Sequence, residues 1–147
     1  MTVKPESPVR EQLASVLSGA AGRIERNLDG SLGAIKGISF AEYRLLSALA
    51  VRPNANASRV DLAHDVGLTA SGVTRALKPL EKMGVVSTTK SPRDARMALA
   101  TLTTSGKALL DDADAVVTDA MHLLLNRSQT SAPELAQLVD FLDRLGR

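Results

Sequence analysis

Gly67 interrupts an apolar pattern of helical spacing, and that interruption restricts the fold more than any other feature of the chain. Before it Leu62 and Val66 stand four residues apart; after it Leu68, Val73, Ala76, Leu77 and Leu80 share one side of a helix. A glycine is free to take the positive φ that lets a chain reverse between two helices. Ala63, four residues before the glycine, is small, as a close helix crossing demands. Arg59 to Lys78 therefore has the pattern of a helix-turn-helix. Thr69 caps the second helix, whose outward side carries Ala70, Ser71, Thr74, Arg75 and Lys78. Short side chains near a helix N-terminus let its backbone sink into a major groove, where cations farther along reach guanine edges or phosphates.

From Val85 the period changes. VVSTTK alternates, SPRDA reads as a turn, and RMALATL alternates again, which predicts a hairpin of two short strands. With Lys90, Arg93 and Arg96 on it, the hairpin is a candidate wing, able to lay arginines along a DNA backbone or into a minor groove. A plain helical hairpin with a polar face would not bring such a wing with it. Charge is distributed to match: residues 52–96 carry eight positive and four negative side chains, whereas residues 111–147 carry three and seven. The basic middle suits an anionic partner, and double-stranded DNA is the one these elements fit.

The rest of the chain reads as helices. Ser7-Pro8 opens a long first helix that ends at Asp29-Gly30, before a glycine-punctuated loop to Ile38. Inside it, Gly19 to Gly22 form a small-residue block that either weakens the helix or admits a close neighbour. Ser39 and Glu42 have capping-box spacing at the start of a second helix reaching about Ala50. The segment RPNANA is a loop, and Ser58 with Asp61 starts the helix that stops at Gly67. Thr103 or Thr104 begins a fifth helix with a wide apolar face from Leu109 to Leu124, and Ser131 with Glu134 opens a last one. Only 2% of residues are aromatic; Phe40, Tyr43 and Phe141 are expected in core packing, the core being otherwise aliphatic.

LAHDVGLTASGVTRALKPLEKMGVV and SPRDARMALATLTTSGKALL resemble the third and fourth helices, the wing and the fifth-helix start of the MarR transcriptional regulators. Asp-x-Arg followed by Leu-Thr-x-x-Gly is the specific part. The resemblance implies a mainly α (α+β) fold: a winged helix-turn-helix with a two-stranded β wing, flanked by N- and C-terminal dimerisation helices. A single domain, residues 1–147, would hold the DNA-binding region at 39–103 and dimerisation helices at 8–29 and 104–146. The DNA-binding residues would be Thr69, Ala70, Ser71, Thr74, Arg75 and Lys78 on the recognition helix, with Lys90, Arg93, Asp94 and Arg96 on the wing. By resemblance Asp94 holds the hairpin and Arg96 enters the minor groove. Ala95 stands where the family often has a second arginine, which either weakens minor-groove affinity or puts more weight on Arg93. Pro79 lies inside the recognition helix and removes the bond to the Arg75 carbonyl, so either a bend there re-aims Lys78 or the helix merely tolerates a kink near its end.

One recognition helix reads few base pairs, so a two-fold homodimer on a pseudo-palindrome, its helices about 34 Å apart, is expected. The expected function is a repressor, released from DNA, as the resemblance implies for many relatives, by a small-molecule effector that favours a helix spacing unmatched to the groove. No cofactor is implied. Enzyme classes find no footing in the sequence: it has no GxSxG, no P-loop and no cysteine, and His64 and His122 lack partners at metal-ligand spacing. The leading MTVKPESP lacks a signal-peptide core and no apolar run suits a membrane span, which points to the cytoplasm. A winged-helix protein-interaction module is the alternative, but a protein interface would more readily replace Arg75, Lys78, Arg93 and Arg96 with apolar anchors.

Overall fold

The computed structural model describes residues 7–146, so the reading of the leader at residues 1–6 lies outside them. In chain order the elements are α1 (Ser7–Lys36), α2 (Phe40–Ala50), β1 (Asn56–Ser58), α3 (Arg59–Val66), α4 (Ala70–Lys82), β2 (Val86–Lys90), β3 (Ala98–Leu102), α5 (Thr104–Ser128) and α6 (Ala132–Leu145). The expected caps of α2 to α6 are in place. Ser39 Oγ accepts from the Glu42 amide at 3.1 Å while the Glu42 carboxylate accepts from the Ser39 amide at 3.0 Å, and Ser131 and Glu134 repeat that exchange at α6.

Three features depart from the sequence reading. The first helix does not stop at Asp29-Gly30 but continues to Lys36. Leu28 and Leu32, one turn apart and 1% and 0% exposed, both reach the core only if the helix is unbroken between them. Asp29 is not a breaker here; its Oδ1 accepts from the Phe40 amide at 2.7 Å, capping the next helix across the turn. Chain reversal falls instead to Gly37, at φ +68°.

Secondly, the sheet has three strands. Asn56, Ala57 and Ser58 pair antiparallel with Thr101, Ala100 and Leu99, giving the order β1-β3-β2. The segment RPNANA is thus not loop throughout: a 3-10 turn at Pro53–Ala55 leads straight into β1. Three residues are too few to show alternation, and this strand exists because β3 offers it a ladder. Thirdly, Phe141 is not in the core. It lies exposed on α6, a helix without one buried residue, beside exposed Leu138, Val139, Leu142 and Leu145. Phe40 and Tyr43 do pack against the core, stacked with ring centroids 5.8 Å apart.

The core joins α1, α2, the helix-turn-helix, the sheet and the inner face of α5, through Leu32, Leu45, Leu49, Leu62, Leu77 and Leu110 among others. Gly106, in the first turn of α5, sits against the Val85 backbone; a Cβ there would lie 2.1 Å from the Val85 oxygen. Gly19 and Gly22, by contrast, would meet only the far ends of Arg23 and Arg26 on their own helix. Among the described residues no helix is long and apolar enough to cross a membrane.

Candidate nucleic-acid interface

The reversal between α3 and α4 is built from local bonds. Gly67 takes φ +64° and ψ +32°, and the Leu68 amide reaches back to the Ala63 carbonyl at 3.1 Å, closing α3. Thr69 Oγ1 then accepts from the Gly72 amide at 3.0 Å and starts α4. Val73, Leu77 and Leu80 face inward and are buried. Thr69, Ala70, Ser71, Arg75 and Lys78 are exposed; Thr74 is half-buried. The Thr74 hydroxyl donates to the Ala70 carbonyl at 3.1 Å, so toward a partner it can only accept. Arg75 and Lys78, three apart, share a face.

Pro79 does not break α4, which runs on to Lys82, with the Met83 amide bonded to the Pro79 carbonyl at 2.9 Å. Lys78 stays exposed one residue before it.

The wing leaves the body because β2 has nothing apolar after Val86: Val86 is buried and Ser87 to Lys90 are exposed. Its register pairs Val86 with Leu102 and Lys90 with Ala98. The second strand begins at Ala98 rather than Arg96, which places Arg96 in the turn. There Asp94 Oδ1 accepts from the Arg96 amide at 2.9 Å and the Asp94 carbonyl from the Met97 amide at 3.0 Å, while the Ser91 amide bonds the Met97 carbonyl at 2.7 Å. Asp94 thus shapes the turn that presents Arg93 and Arg96. Lys90, Arg93, Asp94 and Arg96 are all exposed.

Wing and helix are tied together by Glu81 at the end of α4, whose Oε1 accepts from Thr88 Oγ1 on β2 at 2.6 Å. Carboxylates hold cations elsewhere: Arg52 donates to Asp65 Oδ2 at 2.6 Å, and Lys36 lies 3.1 Å from Asp112. Among the described residues no carboxylate pairs with Arg75, Lys78, Lys90, Arg93 or Arg96. Five charges left in water in this way can transfer to phosphates without breaking an internal pair.

The sequence reading missed Arg59. It follows the Ser58 cap and helps line a concavity of about 250 Å³ between the start of α3 and the arm of the wing, with Ser58, Val60, Arg96, Met97 and Ala98. A larger concavity, about 670 Å³, lies between α2 and α3, lined by residues including Tyr43, Arg44, Ser47, Arg52 and Asp65. His64 and His122 are both exposed.

The model of the MarR family matches residues 38–97, which run from the end of the α1–α2 turn through the turn of the wing. A transcriptional repressor of the helix-turn-helix type from Mycobacterium bovis is 32% identical over 110 residues, covering 75% of this chain and 76% of that protein. Across the curated relatives compared, the matches span 66 to 76% of those proteins' own length. Among solved structures, a MarR family regulator from Streptomyces coelicolor in complex with DNA superposes with a TM-score of 0.81 at 24% identity, over 99% of this chain and 88% of that one. Bordetella bronchiseptica BpsR, whose DNA binding is regulated by 6-hydroxynicotinic acid, gives 0.79 at 19% identity, over 92% and 99%. With the helix-turn-helix, the wing and the 32% identical relative in agreement, the chain belongs to the MarR family of winged-helix transcriptional regulators.

Proposed function

We propose that the chain is a sequence-specific DNA-binding repressor, acting in the cytoplasm as a homodimer on a pseudo-palindromic operator. The observation that carries this reading is the set of five unpaired cations on α4 and the wing, two elements held in fixed relation by the Glu81–Thr88 bond. Thr69, Ala70, Ser71 and Thr74 let α4 approach base edges. Arg75 reads a base, Lys78 supports it, Lys90 and Arg93 hold the backbone, and Arg96, set by Asp94, reaches the minor groove. The exposed apolar faces of α1 and α6 supply the dimer contact, as the unburied Val9, Leu13, Leu138 and Leu142 favour. A small-molecule effector releases the DNA by favouring a different spacing of the two α4 helices, and the concavity between α2 and α3 gives it room beside the reading head. The chain performs no catalysis of its own.

Binding titrations on an inverted repeat selected in vitro by the wild type and on a scrambled duplex test this reading. Arg96→Ala is expected to weaken both complexes. Arg75→Ala is expected to cost about 1 to 3 kcal/mol on the repeat alone, relaxing preference. Negligible and equal losses on both duplexes would remove the assignment.

A further inference from the structure

We infer that Arg59 seats a backbone phosphodiester of the DNA, at the seam between α3 and the wing and beside Arg96; this rests on the DNA-binding reading above. Strand register brings the two arginines to one place. Ser58 on β1 is the partner of Leu99 on β3, so Arg59 comes out of β1 level with Ala98, two residues after Arg96. Both arginines consequently line the same concavity of about 250 Å³.

Arg59 also has donors to spare. Its Nε is buried and bonds to nothing. The nearest carboxylate, Glu81, stands 4.0 Å from Nη2, outside hydrogen-bond range, and its Oε1 is already held by Thr88 at 2.6 Å. The other carboxylates on the flanking turns are likewise engaged: Asp61 accepts from the Ser58 hydroxyl and Asp94 from the Arg96 amide. A guanidinium fork matches two phosphate oxygens at once, which a lysine cannot do.

Position selects the ligand. Arg59 is near α4 through Glu81 and shares a concavity with Arg96 of the wing. A sugar-phosphate strand separating the major groove that receives α4 from the minor groove that receives Arg96 must pass between those two elements. That path crosses the Arg59 side chain. The contact carries no base information, because phosphates are the same at every step.

Salt-dependent anisotropy titrations of the full-length protein test the seat, using a duplex selected in vitro by the wild type and a scrambled one. Arg59→Gln is expected to weaken both complexes by the same factor. Its log–log salt slope should be shallower by about 0.9 per protomer, hence about 1.8 for a dimer. Arg59→Lys should keep most of that slope, and Glu81→Gln should tighten binding. A scan of single neutral methylphosphonates should find one position per half-site that weakens the wild type but not Arg59→Gln. An unchanged slope in Arg59→Gln overturns the inference. So does an equal weakening by Glu81→Gln, which would make Arg59 a structural partner of that carboxylate. Should Arg59→Gln lose its circular dichroism, the methylphosphonate scan on wild type and Arg59→Lys decides alone, and no sensitive phosphate refutes the seat. Wild type that ignores both duplexes in dilute salt would instead bring down the DNA-binding reading itself.

Discussion

Replacing Gly106 by alanine tests why a glycine stands at that point of the Leu-Thr-x-x-Gly motif. The added methyl carbon would sit 2.1 Å from the Val85 oxygen, 2.7 Å from Leu102 Cδ1 and 3.0 Å from the Val85 carbonyl carbon, where ordinary contact begins near 3.4 Å. Val85 cannot yield cheaply, since its carbonyl accepts from the Thr103 amide at 3.1 Å, and the neighbouring Gly84 carbonyl accepts from Thr103 and Ser105 hydroxyls at 2.8 and 3.1 Å. Overpacking costs about 1 to 3 kcal/mol and each disturbed hydrogen bond about 1 more, against a helix-propensity gain of about 1. With one such bond disturbed, the net expectation is a loss of roughly 1 to 3 kcal/mol. Gly30→Ala is the control: it lies in α1 with nothing within 4 Å of its added carbon, so the same change should stabilise by about 0.5 to 1 kcal/mol. Urea unfolding at one fixed protomer concentration, with unchanged m-values, reads both. Effects of the same sign at the two glycines would refute the reasoning, as would a Gly106→Ala protein no less stable than wild type.

Tyr43 is the only tyrosine and there is no tryptophan, so the phenolate absorbance of the folded protein reports one group. Burial, and next the 2.8 Å hydrogen bond to Asp114, raise its pKa above the ordinary tyrosine value. The neutral phenol's contribution to stability is therefore complete below about pH 10 and is lost as pH climbs through the higher folded pKa. Asp114→Asn should lower the titration midpoint, and a midpoint at or below the free-tyrosine value in wild type would contradict the burial. On α6, Leu138→Glu with Leu142→Glu should convert the dimer to monomer in sedimentation velocity while helicity persists. Each leucine buried in the dimer is worth about 1.5 to 3 kcal/mol. An intact dimer would place the interface elsewhere.

Much of this molecule could be read from short stretches of residues. Ser39 with Glu42, Thr69 with Gly72, Thr103 with Gly106 and Ser131 with Glu134 each close a hydrogen bond over three residues, so a helix start is encoded where it occurs. The reversal at Gly67 and the hairpin after Val85 are legible for the same reason. The residues of the candidate interface followed from them, because turning Val73, Leu77 and Leu80 inward leaves Ser71, Arg75 and Lys78 outside.

Other features depend on partners distant along the chain. Asp29 looks like a terminator until the Phe40 amide arrives to be capped, and β1 is invisible until β3 supplies its ladder. Phe141 looks like core, yet it lies exposed on α6, a helix with no buried residue. Arg59 is one more cation in the count until pairing of Ser58 with Leu99 sets it beside Arg96. Local hydrogen bonds are written into neighbouring residues, whereas a helix's true length, a third strand and a meeting of two arginines arise from which surfaces the folded chain brings together.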